Sequence, residues 1–158
     1  MFSRMTSHNM RIFLRGFGYA FSGIGYCLKR ERNFRVHMAA GFYVLLLAPY
    51  FSLSRGEWAA LILTIGLVLA AEAVNTAIET VVDRLSPGRC DAARVAKDVA
   101  AGAVLLCAVA AVGVAAVLFV RADGWMAMGR DFAEHIWKPA ALAVSLPVAG
   151  WLVFRRYS

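Results

Sequence analysis

Apolar runs separated by short polar breaks organise the chain. Val36 to Leu53 is closed by Ser54-Arg55-Gly56-Glu57. Trp58 to Val82 is apolar through Ala71 and then polar on one face, and Val99 to Val120 is uninterrupted. Each comes close to or exceeds the roughly 20 residues a helix needs to cross the hydrocarbon of a bilayer. Pro139 to Phe154 is shorter and lies between Lys138 and Arg155-Arg156. It is expected to span with snorkelling ends, the alternative being that it lies against the bundle. In lipid only helices or closed barrels satisfy their backbone groups, and these runs lack barrel-like alternation. The expected fold is all-α, a polytopic membrane helix bundle.

Ahead of the first run, Phe13, Phe17, Ala20, Phe21, Ile24 and Leu28 recur at steps of three and four, with Arg15, Ser22 and Lys29 off that face. This spacing predicts an amphipathic helix in the membrane interface. No uninterrupted apolar core follows the basic start, which argues against a signal peptide. Gly16, Gly18, Gly23 and Gly25 weaken the segment as an isolated helix, so it is expected to dock on the bundle. The predicted organisation is an interfacial region over 1–35, a three-span core over 36–120, and a linker with a fourth segment over 121–158.

Composition agrees. Of 158 residues, 61% are apolar and 17% charged, against about 45–50% and about 25% in soluble domains. That excludes an ordinary soluble core and a disordered chain. The net charge of +7 points to phospholipid surfaces or anionic phosphates and not to nucleic acid. Thirteen basic residues precede the first run, lie between the second and third, or follow the fourth, whereas Arg55, Arg121, Arg130 and Lys138 alone lie on the other side. The positive-inside rule then predicts a cytoplasmic N-terminus, second link and C-terminus, with an even number of crossings. Cys27, Cys90 and Cys107 are odd in number and lack metal-site spacing, so they are read as reduced or packing residues.

The second span carries candidate chemistry. Glu72, Asn75, Thr76, Glu79 and Asp83 fall within about 100° of helical arc. An ionisable residue near the bilayer centre costs about 2.5–3.5 kcal/mol. Counting from Glu57 puts Glu72 roughly 22 Å across, with Glu79 near the cytoplasmic boundary. Glu31 and Lys97-Asp98 fall at that same boundary. Two carboxylates from different helices, Glu31 and Glu79, suit a hard cation such as Mg²⁺ and leave positions for phosphate and water oxygens. Lys97 and the interfacial arginines can take up phosphate charge. The plainer alternative is that Asn75 and Thr76 join helices, Glu79 and Asp83 are interfacial charges, and Lys97 snorkels. No P-loop, complete dinucleotide fingerprint or H-E-x-x-H occurs. His8 and His135 read as surface residues, and His37 stays open.

Ala20-Phe21-Ser22-Gly23-Ile24, Glu31-Arg32-Asn33-Phe34-Arg35-Val36-His37, Glu72-Ala73-Val74-Asn75-Thr76-Ala77-Ile78-Glu79 with Val82-Asp83, and Ala96-Lys97-Asp98 running on to Val104 closely resemble the bacterial integral-membrane diacylglycerol kinase and undecaprenol kinase family. The likeness runs from about residue 11 to residue 120. It implies an ATP- and Mg²⁺-dependent lipid kinase, a homotrimer with active sites shared between chains, and a place in the bacterial cytoplasmic membrane with the site facing the cytosol. By the same resemblance Glu72 takes the catalytic base position. Arg15, Tyr19, Glu31, Asn75, Glu79, Gly88, Arg89, Lys97 and Asp98 take nucleotide-site positions, with Glu31 and Glu79 also holding metal. Asn33, Phe34, Arg35 and Glu72 take lipid-substrate positions. Gly88, Arg89 and Cys90 differ from the family's usual identities. The E-x-N-x-R-x-H form is more similar to undecaprenol kinases of Gram-positive bacteria, and the family says nothing of residues 121–158. A small ion or proton transporter and a non-catalytic assembly subunit are the rival readings. The first predicts acids spread through the whole depth, yet none lies between Asp98 and Asp123. The second leaves Glu72 without a purpose.

Overall fold

The computed structural model describes residues 7–86, 88 and 90–155, with side chains from residue 10 onward. Six helices follow in order: α1 (Ser7–Arg30), α2 (Arg32–Leu47) continued by a 3₁₀ turn (Ala48–Phe51), α3 (Arg55–Leu85), α4 (Asp91–Phe119), α5 (Ala122–Glu134) and α6 (Trp137–Phe154). No strand occurs among the described residues. Four of these stretches are long and apolar enough to cross a membrane: α2 with its 3₁₀ turn, α3, α4 and α6. Both the helix bundle and the fourth long apolar helix are therefore as expected.

Local chemistry explains the breaks. Pro49 has no N–H to continue the α2 ladder, and the chain tightens there into the 3₁₀ turn. Ser52 then adopts φ 48°, and α3 starts on a capping box in which the Ser54 hydroxyl accepts from the Glu57 N–H while the Glu57 carboxylate accepts from the Ser54 N–H. Glu31 is a one-residue bend between α1 and α2, with extended backbone at φ −103°, ψ 113°. It thus sits at the corner where the first helix meets the bundle.

Helices α3 and α4 form the longest packed pair, and α2 lies along α3. Lipid tails are as apolar as leucine, so close packing must hold these helices together where the hydrophobic effect does not. Gly41 brings α2 against the Ile65 side chain, where a Cβ would come within 2.9 Å. Ala48, Leu61 and Leu118 form a buried cluster with Trp58, Ile65 and Val114 around it. That cluster lies at the end of the bundle away from Arg32, Leu85 and Asp91, which mark the basic end.

Two expectations change. The linker after residue 121 contains a helix, α5, packed on the 3₁₀ turn. Gly124 is buried against Phe51, whose ring meets Phe119 and Trp125 edge-on. Arg121 pairs with Glu57, while Asp131 accepts from the Tyr50 hydroxyl and from Lys138 Nζ. Docking of α1 is confined to its last turns. Cys27 is buried, but Phe13, Phe17, Phe21 and Ile24 are about half exposed or more, because α1 leaves the bundle at the Glu31 bend and meets α2 and α3 only near its end. Its apolar face is left uncovered by the rest of the chain.

Helix α6 runs antiparallel to α2 and is tied to it at two points. Tyr43 donates to the Ser145 hydroxyl at 3.1 Å, and Arg35 Nε donates to the Val153 carbonyl at 2.9 Å. Arg35 also donates to the Leu28 and Lys29 carbonyls, so its guanidinium closes the C-terminal ends of both α1 and α6.

Candidate active site

The polar stripe of α3 turns inward. Glu72 and Thr76 are the buried polar residues of the described chain, 3% and 2% exposed. The Thr76 hydroxyl donates back to the Glu72 carbonyl at 2.9 Å, a local bond that fixes its rotamer. Across from Glu72 stands His37, its Nε2 3.3 Å from Glu72 Oε1. The Gly41–Ile65 approach sets the α2–α3 register that brings these two groups together. Glu31 and Glu79 lie near enough for their charges to act on Glu72.

One turn on, Asn75 Nδ2 donates to Glu79 Oε1 at 3.1 Å, whereas the buried Asn75 Oδ1 has no hydrogen-bond partner. An amide pinned at one end and unsatisfied at the other is a buried polar group whose partner this chain does not supply. From α1, the Cys27 thiol lies against Thr76, and burial pushes it above its usual range. A protonated, enclosed thiol is a packing group and not a nucleophile. Cys90 is exposed and Cys107 partly buried, and all three cysteines are free.

At the basic end, Lys97 Nζ donates to Asp83 Oδ1 at 2.9 Å, linking α4 to the end of the α3 stripe. Arg94 reaches Asp98 at 3.3 Å. Gly88, Asp83, Arg94 and Lys97 border a cleft of about 430 Å³ at the α3–α4 turn. Asp98 lies on the exposed side of α4, outside that border. Among the candidate positions, Asn75 is joined to Glu79, Glu31 and Glu79 bear on Glu72 through their charges, and Lys97 with Gly88 borders the adjoining cleft. Among the described residues no three acids, histidines or cysteines stand close enough together to share a metal ion.

Other candidates fall elsewhere. Arg15 and Tyr19 are exposed on α1, roughly 18 Å and 12 Å along the helix from Cys27. Arg89 lies outside the described residues. Phe34 is buried at 4% exposure, Asn33 is exposed, and Arg35 is engaged with helix carbonyls. His37 is the site residue that spacing alone left open. Its signal was present in the three- and four-residue steps of Phe34, His37, Gly41, Val44 and Ala48, which mark the face of α2 turned to α3.

A bundle of membrane-length helices with buried and half-buried acids drawn to its basic end defines a class of membrane-embedded proteins suited to chemistry at the bilayer boundary. The family model of prokaryotic diacylglycerol kinase matches residues 18–119, and the chain belongs to that family. It is 44% identical over 109 residues to a diacylglycerol kinase of Synechocystis sp., covering 68% of this chain and 62% of that protein. It is 36% identical over 120 residues to the undecaprenol kinase of Bacillus subtilis, covering 76% of this chain and 98% of that one. A diacylglycerol kinase of Sinorhizobium sp. is 37% identical over 84 residues, 53% of this chain and 57% of that protein. The chain thus spans under two thirds of two of these relatives. The family match ends where the 3₁₀-packed extension begins, so α5 and α6 lie outside it.

Proposed function

We propose that this protein is a membrane lipid kinase that transfers the γ-phosphoryl group of ATP to the hydroxyl of a membrane lipid, diacylglycerol or undecaprenol. The observation that carries the reading is Glu72, a carboxylate buried on the inward face of a membrane-length helix, paired with His37 and within reach of the charges of Glu31 and Glu79. Phosphoryl transfer asks a protein chiefly for positioning and charge neutralisation. Glu72 accepts the proton of the lipid hydroxyl as the oxygen attacks phosphorus, and His37 holds the Glu72 carboxylate in place. The unsatisfied Asn75 Oδ1 and the Glu79 it orients take the nucleotide side, and Lys97 meets phosphate charge on exchanging Asp83 for it.

The charges of Glu31 and Glu79 both bear on Glu72, and such carboxylates suit a hard divalent cation. Glu31 and Glu79 would hold Mg²⁺, with phosphate and water oxygens completing its shell. The ion supplies neutralisation of the charge on the phosphate oxygens. Arg15 and Tyr19 lie too far along α1 to join their own chain's site. That fits a homotrimer in which the interfacial helix serves a neighbouring chain. The asymmetric distribution of basic residues supports a site facing the cytoplasm of a bacterial inner membrane.

Incubating the purified chain with labelled ATP, Mg²⁺ and a bacterial lipid extract, then resolving the labelled lipids, tests this directly. A labelled lipid phosphate supports the reading and names the substrate. Release of labelled inorganic phosphate alone, or no turnover with any lipid, contradicts it.

A further inference from the structure

An apolar groove of about 1160 Å³ runs between α2 and α6, and at the basic end it opens into a polar cup of about 680 Å³; Lys29 and Arg35 line both. At 100° per residue, the α2 positions turned to α3 (Phe34, His37, Gly41, Val44, Ala48) occupy about 80° of arc. The groove positions Arg35, Met38, Ala39 and Phe42 centre about 130° away from them. The groove therefore lies on the side of α2 turned away from Glu72. Its other wall is α6, from Ala140 to Val153, a length of roughly 20 Å. That exceeds the roughly 15 Å half-thickness of a bilayer's hydrocarbon. Alanines on both helices keep it open, and the Tyr43–Ser145 and Arg35–Val153 bonds hold its walls together.

We propose that this groove is a second lipid site that holds a lipid phosphomonoester, its chain along α6 and its phosphate in the basic cup. Lys29, Arg30 and Arg32 stand exposed around the cup, with the charges of Arg35 and Arg155 behind them and Glu31 the acid on its wall. Each such cation near a membrane surface attracts anionic lipid. A phosphomonoester offers up to two negative charges and three terminal acceptor oxygens, matching a cluster of ammonium and guanidinium donors. A phosphodiester lipid offers one charge, and a zwitterionic headgroup brings a cation into the same cup. The choice of occupant rests on the kinase reading, because phosphorylation of a lipid hydroxyl releases this chemistry at this end of the bundle. The site would let the chain retain product beside the reacting centre, with Glu31 on the wall between them and the chain of the lipid on the far side of α2 from Glu72, and it depends on a helix that lies beyond the family match.

The test is native mass spectrometry of the full chain in a neutral detergent, titrated separately with dioleoyl phosphatidate, phosphatidylglycerol and phosphatidylcholine. Parallel samples carry Ala141→Phe with Ala149→Phe, which fill the groove, or Lys29→Gln. The wild type is expected to bind one phosphatidate more than the groove-filled variant, about tenfold more tightly than phosphatidylglycerol, with Lys29→Gln weakening that molecule selectively. Lipid phosphorylation by the groove-filled variant shows that the fold and reacting centre persist. Equal binding of the three lipids, or an unchanged count in the groove-filled variant, overturns the proposal while leaving the kinase reading intact. So does a groove that binds no lipid and whose filling changes the oligomer mass, since a second copy of the chain would then be the occupant. A wild type that phosphorylates no lipid removes the kinase reading instead.

Discussion

Replacing His37 by alanine isolates the contact on which the proposed base depends. Glu72 is 3% exposed and faces His37 Nε2 at 3.3 Å, so truncation leaves the carboxylate without that partner and free to rotate. A polar contact to a charged group is worth about 1.5–3 kcal/mol. At 3.3 Å the lower figure applies, and about 1.4 kcal/mol of transition-state stabilisation corresponds to a tenfold change in rate. His37→Ala is therefore expected to lower kcat about tenfold with little change in KM for ATP, because Asn75, Glu79 and Lys97 are untouched. His37→Gln, which keeps an N–H near the same place, is expected to recover much of the loss. The assay is ADP release in lipid nanodiscs under saturating lipid, with thermal unfolding as a control. A His37→Ala enzyme with wild-type kcat, or one whose defect lies wholly in KM for ATP, would refute the positioning argument.

Other outcomes concern the extension. Hydrogen bonding from Lys138, then from Tyr50, holds the Asp131 carboxyl below its usual range. A carboxyl lowered in the folded state stabilises it above the unfolded value near 3.9 and loses that contribution as pH falls through the lowered folded value. The packing of α5 on α6 should thus be constant from neutral pH to about 5 and weaken below about 4, and Asp131→Asn should abolish that dependence in hydrogen exchange of α5. Gly124→Val would drive a side chain into the Phe51 ring. It should destabilise the α5 end by about 1–3 kcal/mol, read as a lower Tm in detergent, whereas Gly129→Val, which meets open space, should leave Tm unchanged.

The extent to which the chain announced this arrangement follows from the kind of information each part needs. Span positions, the polar stripe on α3 and the basic end depend on one-dimensional hydropathy and charge, and they were legible. So was helix α1 itself, because its apolar steps are local. The His37–Glu72 pairing needed the α2–α3 register, which is set by Gly41 seating on Ile65 and cannot be read from either helix alone. Arg35 stood within the Glu31–His37 motif and was expected at a lipid-substrate position. That it clamps the ends of α1 and α6 depends on where an 18-residue helix more than a hundred positions later comes to rest. The α5 helix was hidden by its mixed composition, since its order derives from docking on Phe51 and Tyr50 and not from hydropathy.

Glu72 is the proposed base acting on a lipid hydroxyl. Glu72→Gln preserves shape and removes the proton acceptor, so the purified variant, given labelled ATP, Mg²⁺ and the accepted lipid, is expected to bind nucleotide as the wild type does and to yield no labelled lipid. Wild-type phosphorylation by that variant would contradict the account.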